Sequence, residues 1–79
     1  LKSNITILDP KTKLQEYSLK QFKKLPSYRL IGTKGPKHNP TFNVSVFIFG
    51  SKSYAGTGRS KQDAEQNAAY NLLKSKNIN

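Results

Sequence analysis

The clearest pattern in the chain lies between positions 41 and 49, where every second residue is apolar. Alternation with a period of two is typical of a strand that buries one face. We expect the buried face to consist of Phe42, Val44, Val46 and Ile48. The opposite face consists of Asn43, Ser45, Phe47 and Phe49, and the pattern identifies no partner for its two phenylalanines.

Two shorter segments on either side of this one also predict strands. They comprise residues 28–33 and residues 52–57, and Gly50-Ser51 begins the turn before the second of them. Residues 34–40 form a polar loop that contains two prolines and a glycine. This loop is longer than a plain hairpin needs, which favours a functional role for it.

A helical segment precedes the strands. Asp9 and Pro10 predict its start, with Asp9 as the cap and Pro10 at the first helical position. We expect the helix to run to about Lys24 and to end at Leu25-Pro26. At 3.6 residues per turn, one side is predicted to carry Leu14, Tyr17, Gln21 and Leu25. A different face carries Thr12, Gln15, Glu16, Leu19 and Lys23.

A second helical segment follows the last predicted strand, from Lys61 to about Ser75. It begins with the capping-box pattern S-x-x-D, in which Ser60 is the cap and Asp63 stands three residues later. Small alanines allow this helix to lie close against the sheet. Its buried stripe is expected to consist of Ala64, Ala68, Leu72 and Leu73, with Ala69 beside it.

These elements predict an α+β fold of order α-β-β-β-α, a three-stranded antiparallel sheet with two helices packed on one face. A chain of 79 residues suits one domain, which we place at residues 9–76. Residues 1–8 are interpreted as a linker remnant and residues 77–79 as a C-terminal tail. Because the sequence begins with Leu1 and not with methionine, we expect it to be part of a longer protein.

The charge balance points to an acidic partner. Fourteen lysines and arginines against four acidic residues give a formal net charge of +10, spread along the chain. Nucleic acid is the first candidate and an anionic membrane surface the second. No apolar run approaches membrane-spanning length. The absence of cysteine excludes disulfides, thiolate metal sites and cysteine nucleophiles, and it fits a reducing compartment.

The run from Gly56 to Ala69 combines two glycines, two basic residues and a helix start. Glycine lets the backbone come close to a ligand. The first turn of the helix presents free N–H groups and the positive end of the helix dipole. With Lys61 beside them these groups predict an anion site, with phosphate as the first candidate. Taken alone, the motif fits an ordinary capped surface helix equally well.

Four separated motifs occur in a fixed order: DPKTKLQEY at residues 9–17, LPSY at 25–28, GPKHNPTF at 35–42 and the glycine-rich run just described. Together they resemble the double-stranded RNA-binding domain family, and most closely the C-terminal domain of bacterial ribonuclease III. The resemblance covers residues 9–76 and implies an α-β-β-β-α fold. It also implies binding of duplex RNA by shape, through minor-groove 2′-hydroxyls and phosphates.

The resemblance implies three contact regions on one side of the fold. In the first helix, it assigns minor-groove contacts to Thr12, Gln15 and Glu16. In the loop between the first two strands, it assigns contacts with a second minor groove to Pro36 and His38. At the start of the second helix, it assigns phosphate contacts to Ser60 and Lys61, and we expect the adjacent Arg59 to add another. His38 is the only histidine in the chain, so we expect no metal site around it.

The sequence departs from the family pattern at four positions. Gln62 and Glu65 stand where the second and third family lysines would be, the latter as is usual in the ribonuclease III branch. Leu19 replaces a common glutamine, and Ser18 replaces a core leucine, which we expect to cost on the order of a kcal/mol. We therefore expect weaker binding than in a typical member. A diffuse field compensates in part, from Lys11, Lys13, Lys20, Lys23, Lys34 and Lys37.

We expect no catalysis by this chain itself. Its four acidic residues are scattered and its single histidine lies in a loop, so neither a two-metal nuclease site nor a Ser-His-acid set is available. The resemblance implies a cytoplasmic parent whose separate, homodimeric nuclease domain uses magnesium to cut duplex RNA, including rRNA precursors. For this fragment it implies duplex RNA as the partner, with no cofactor, membrane or small-molecule substrate.

Two other functions fit parts of the sequence. A stand-alone or ribosome-associated RNA-binding module would bind one folded RNA instead of any duplex. The loop motif with His38 and the helix start at Lys61 argue against that module. A membrane-surface module is disfavoured because the first helix lacks a broad apolar face that is free to enter lipid.

Overall fold

The computed structural model of the chain describes residues 9–77. In chain order its elements are α1 (Pro10–Phe22), β1 (Ser27–Lys34), β2 (Thr41–Phe47), β3 (Tyr54–Gly58) and α2 (Lys61–Ser75). This order confirms the predicted α-β-β-β-α fold. The predicted linker at residues 1–8 and the last two residues of the predicted tail, 78–79, lie outside the described residues.

The sheet is antiparallel, with β2 between β1 and β3. Val44 and Val46 of β2 are fully buried, as the alternation predicts. β2 ends at Phe47, two residues before the predicted end, because the chain is already turning there. The Ser51 N–H donates to the Ile48 carbonyl at 3.0 Å and holds that turn. Ile48 nevertheless remains buried in the core.

The two outer strands differ slightly from their predicted bounds. β1 extends one residue further at each end, and a β-bulge between Leu30 and Gly32 leaves Ile31 without a partner on β2. β3 begins at Tyr54, two residues later than predicted, because Ser51 extends the preceding turn. The Ser51 hydroxyl accepts from the Ile48 N–H at 3.2 Å and donates to the Lys52 carbonyl at 3.0 Å.

Both helices bury their apolar residues in a single core with the same face of the sheet. This core consists of Leu14, Val46, Ile48, Ala68, Ala69, Leu72 and Leu73. Around it pack Tyr17, Phe22, Tyr28 and Tyr54. The alanine stripe predicted for α2 is therefore confirmed.

The side of α1 predicted to carry Leu14, Tyr17, Gln21 and Leu25 coincides only in part with the buried side. Leu14 is buried, but Gln21 and Leu25 are exposed, and the buried row continues instead through Ser18 to Phe22. Gln21 lies in the last turn of α1 and is exposed, whereas Leu25 leaves this side because α1 ends at Phe22, earlier than expected. Lys23 adopts the left-handed conformation at a φ of 59°, and its N–H donates to the Leu19 carbonyl at 2.9 Å. Leu25 therefore lies beyond the helix.

Ser18 is fully buried at the position where an apolar side chain was expected. Its hydroxyl donates to the Lys24 carbonyl oxygen at 2.5 Å. Buried polar groups are tolerated when they are hydrogen-bonded. This bond therefore offsets part of the predicted loss of apolar burial, and it holds the chain that leaves α1 against the helix.

The structure supplies the partner of Phe49 that the sequence pattern lacked. The rings of Phe22 and Phe49 lie 5.7 Å apart between centroids, and the Lys24 ammonium lies 5.6 Å from the centre of the Phe49 ring. Phe47 is 44% exposed at the end of β2. The aromatic cluster thus joins the end of α1 to the turn between β2 and β3.

Two asparagines of α2 bind the free edge of β3. The Asn67 side-chain amide donates to the Thr57 carbonyl at 2.6 Å, and the Asn71 amide donates to the Ala55 carbonyl at 2.7 Å. The two asparagines are four residues apart and so lie on the same face of α2, and they reach two β3 carbonyls that are two residues apart and lie on the same edge of the strand. Because β3 is an outer strand, these bonds satisfy backbone groups that a neighbouring strand would otherwise take.

Candidate nucleic-acid interface

The predicted contact residues of α1 lie together on its exposed face. Thr12, Gln15 and Glu16 are all exposed, and the positions follow the helical repeat. Leu19 extends the same face and is 40% exposed. Leu19 therefore lies on the surface of α1 and not in the core.

Asp9 determines how the Thr12 side chain is used. The Asp9 carboxylate accepts from the Thr12 N–H at 3.4 Å and from the Thr12 hydroxyl at 2.8 Å. The hydrogen bond from the Thr12 side chain, followed by one from Gln66, holds the pKa of Asp9 below its usual value. Since its own hydrogen is already donated, the Thr12 hydroxyl faces solvent as an acceptor. An acceptor suits a ribose 2′-hydroxyl that donates.

The loop between β1 and β2, residues 35–40, contains a tight, exposed turn. It begins at Gly35, whose φ of 92° lies in the left-handed region that favours glycine. The Asn39 N–H donates to the Pro36 carbonyl at 3.0 Å, which closes a turn with Lys37 and His38 at its two central positions. Pro36 and His38, both predicted contacts, are exposed.

The start of α2 has the predicted cap. The Ser60 hydroxyl oxygen accepts from the Asp63 N–H at 3.0 Å, and the Ser60 carbonyl accepts from the Ala64 N–H at 3.0 Å. Arg59 and Lys61 on either side of the cap are exposed. The Ser60 hydroxyl hydrogen is left to donate outward, beside two cations and the positive end of the helix.

The glycines before this helix start serve packing, which corrects their predicted role in approaching a ligand. A Cβ atom on Gly56 would lie 2.2 Å from the Ala68 nitrogen, and one on Gly58 would lie 2.7 Å from the Ala64 nitrogen. Both positions are therefore occupied by the backbone of α2. The sequence motif was read correctly as glycine-dependent, but the close neighbour is the helix of the same domain.

Strand pairing relates two of the three predicted contact regions. Phe42 pairs with Thr33 on β1 and with Gly58 on β3. The loop that joins β1 to β2 and the chain that leaves β3 for α2 therefore emerge at the same end of the sheet. The backbone N–H of Lys11 in α1 donates to Gln66 of α2 at 3.0 Å, which places the start of α1 beside the first turns of α2.

Lys11 has a specific role that the sequence analysis missed. Its ammonium lies 2.5 Å from a Glu65 carboxylate oxygen, and the two side chains are only 32% and 14% exposed. The same ammonium lies 5.1 Å from the centre of the Tyr28 ring. Lys11 was predicted to add to a diffuse field, and this is corrected: its charge is largely neutralised by Glu65. Fifty-four residues separate the two, so no local spacing signals the pair.

Among residues 9–77, no group of three or more histidine, aspartate or glutamate side chains could hold a metal ion. Neither described helix has the length and apolar character required to cross a membrane.

Comparison with known proteins gives relatives along nearly the whole chain. The family model "Double-stranded RNA binding motif" matches residues 10–76. The chain is 58% identical over 67 residues to Ribonuclease 3 of Pelagibacter ubique and 49% identical over 74 residues to Ribonuclease 3 of Leptospira interrogans. These alignments cover 85% and 90% of this chain but only 30% of each relative.

Solved structures agree with this match. The first dsRBD of protein HYL1 has a TM-score of 0.62 at 31% identity, covering 81% of this chain and 90% of that one. The second dsRBD of DRB4 has a TM-score of 0.61 at 35% identity, covering 87% of this chain and 96% of that one. The sequence motifs, the fold and the family-model match over residues 10–76 agree, and the chain belongs to the double-stranded RNA binding motif family.

Proposed function

We propose that this domain reads the shape of duplex RNA by touching two successive minor grooves and the phosphates between them. A-form RNA has a wide, shallow minor groove lined with 2′-hydroxyls, and a major groove too deep and narrow for side chains to read. A rigid reader that spans about 16 base pairs therefore needs three contact regions in a fixed arrangement. The three regions described above are the candidates.

In this proposal α1 contacts the first minor groove. Thr12 accepts from a 2′-hydroxyl, because Asp9 already takes its hydrogen. Gln15 can both donate and accept, and Glu16 accepts only. Acceptors that face ribose select for hydroxyl donors, which DNA lacks at the 2′ position. This face therefore supports discrimination between RNA and DNA.

The loop and the start of α2 supply the other two contacts. His38, at the tip of the Pro36–Asn39 turn, reaches into the second minor groove and bonds 2′-hydroxyls or bases. The two loop prolines restrict the unbound loop, so less entropy is lost when it docks. Arg59, Ser60 and Lys61 bind phosphate, a contact that positions the domain without reading sequence.

The pairing of Phe42 with both Thr33 and Gly58 is the observation that carries this proposal. It gives the loop and the α2 start a common end of the sheet, while Gln66 holds α1 beside α2. We further propose that the domain binds substrate for a longer ribonuclease III, because both relatives compared above bear that name and the chain spans 30% of their length. In this proposal the longer protein cuts duplex RNA, including rRNA precursors, and uses magnesium to do so. Homodimerisation and the cytoplasmic location are also assigned to that longer protein.

The function is tested by competition between duplex RNA, duplex DNA of the same sequence and single-stranded RNA at two salt concentrations. We expect duplex RNA to bind most tightly and its affinity to fall as salt rises, because counterions are released from phosphates. Equal affinity for the two duplexes would contradict the reading of 2′-hydroxyls. Binding of one folded ribosomal RNA in preference to simple duplexes would favour the ribosome-associated alternative.

Lys61→Ala tests the phosphate contact. We expect it to weaken duplex RNA binding by about tenfold through the loss of one charge-assisted contact. The slope of log affinity against log salt should also fall by about one. Lys74→Ala is the matched control, because Lys74 is an exposed lysine in the last turn of the same helix. An equal effect of both substitutions would mean that overall charge, and not a contact at Lys61, controls binding.

A further inference from the structure

Glu65 stands in an unexpected place for an RNA-binding surface. It is one of only four acidic residues in the chain, and it lies on α2 one turn after Lys61, which we propose binds phosphate. A free carboxylate there would repel RNA. Glu65 is instead 14% exposed and paired with Lys11 of α1 at 2.5 Å. Its charge is thus directed into the domain.

The neighbouring residue makes a second link between the same two helices. Lys11 is the second residue of α1, so its backbone N–H has no partner within the helix. The Gln66 side-chain oxygen accepts from that N–H at 3.0 Å. We call Lys11, Glu65 and Gln66 the α1 clasp. The Lys11 ammonium also lies over the Tyr28 ring, so the α1 clasp contacts β1 as well.

The apolar attachment of α1 is thin, which gives the α1 clasp its importance. Of the 13 residues of α1, only Leu14 and Ser18 are fully buried, and Ser18 is polar, while Tyr17 and Phe22 pack against the core but are only partly buried. α2 buries five residues, four of them in that core, so it is held more firmly. A helix held by so few buried side chains depends on additional contacts for its orientation.

We infer that the α1 clasp positions the RNA-contacting face of α1 relative to the phosphate-binding start of α2. Lys11, Glu65 and Gln66 are positioning residues in this inference, which rests on the function proposed above. The fixed spacing of A-form grooves makes the distance between the two contact regions matter. Glu65 therefore supports RNA binding although its charge has the wrong sign for it.

Glu65→Lys separates this inference from simple electrostatics. It adds two positive charges on α2 and restores a lysine where the family has one, so a diffuse field predicts tighter binding. The α1 clasp predicts the opposite, because two ammonium groups would face each other and move α1. We expect affinity for a duplex of about 16 base pairs to fall by about fivefold, the effect of losing one partly exposed ion pair.

Asp63→Lys is the matched control. It makes the same charge change on the same helix, but Asp63 is exposed in the first turn of α2 and lies outside the α1 clasp. We expect unchanged or tighter RNA binding from it. The double variant Lys11→Glu with Glu65→Lys rebuilds the ion pair in reverse at unchanged net charge. It should bind duplex RNA more tightly than either single variant.

Duplex length distinguishes positioning from general destabilisation. A displaced α1 should cost Glu65→Lys more affinity for a duplex of about 16 base pairs than for one of about 8, because only the longer one engages all three regions. A loss of thermal stability alone would reduce both equally and would overturn the inference. Tighter binding by Glu65→Lys, or no recovery in the double variant, would also overturn it. Failure of the unaltered chain to prefer duplex RNA would instead overturn the proposed function.

Discussion

At the scale of single residues, Tyr28 shows how one buried polar atom affects stability. Its hydroxyl oxygen is buried and has no hydrogen-bond partner among the residues described. Burial, followed by the negative charges of Glu65 and Asp9, raises the pKa of Tyr28 to about 12. The fold therefore tolerates the neutral phenol and disfavours the phenolate.

Tyr28→Phe should remove an alkaline loss of stability. The unfolded tyrosine loses its proton near pH 10 and the folded one near pH 12. The stability that the neutral Tyr28 phenol contributes to the fold is therefore complete below pH 10 and is lost as pH rises towards 12. The shift of about two pKa units corresponds to at most ~2.7 kcal/mol of stability. Urea unfolding of both proteins from pH 8 to 12 measures it. If the free energies of unfolding of the two proteins changed in parallel with pH, the alkaline loss of stability would not come from Tyr28.

Among single residues, those placed by helical spacing could be predicted from the sequence, and the ion pair between helices could not. The exposed row Thr12, Gln15 and Glu16 follows from helical spacing alone, and its exposure is confirmed. The pairing of Lys11 with Glu65 joins two helices across most of the chain and depends on how they pack. Without the fold, Glu65 was only a departure from a family lysine. Its partner became visible only in three dimensions.

At the scale of elements, the backbones of α2 and β3 lie so close together that any side chain at Gly56 would push them apart. Gly56 is buried, and a Cβ atom there would lie 2.2 Å from the backbone of α2. Asn67 and Asn71 add hydrogen bonds from α2 to β3 on the same side. The helix that carries Lys61 is thus held directly against the strand that leads into it.

Gly56→Ala should destabilise the fold by about 2–3 kcal/mol, because the methyl group forces α2 away from β3. The free energy of unfolding in urea measures this change. Gly32→Ala is the control, since a Cβ atom there meets no heavy atom within 4 Å. We expect the control to be neutral or slightly stabilising, because alanine restricts the unfolded chain. Equal effects of the two substitutions would show that α2 is not held by this approach.

Most elements could be predicted from periodicity and capping residues. The bounds of α2 are matched, since Ser60 caps it and the alanine stripe marks its buried side. The row predicted on one side of α1 fails at Leu25, because the left-handed turn at Lys23, which ends the helix, has no strong local signal. The glycines before α2 were assigned to a ligand because sequence cannot tell which backbone approaches a glycine.

At the scale of the whole molecule, the domain arranges three surface regions around one sheet. Strand register gives the β1–β2 loop and the α2 start a common end, and the α1 clasp holds α1 beside α2. The aromatic cluster of Phe22 and Phe49 lies at the other end, near the turn after β2. We propose that RNA binds at the first end and that the second end gives structural support.

The most direct test of this account is to titrate the isotope-labelled chain with a 20-base-pair RNA duplex and record each backbone amide by NMR. We predict that shifts concentrate in three separate stretches, around Gln15, around His38 and around Lys61, and that they saturate together. The amides around Phe49 should remain almost unchanged. Shifts confined to one of the three stretches, or centred on Phe49, would contradict simultaneous contact by the three regions.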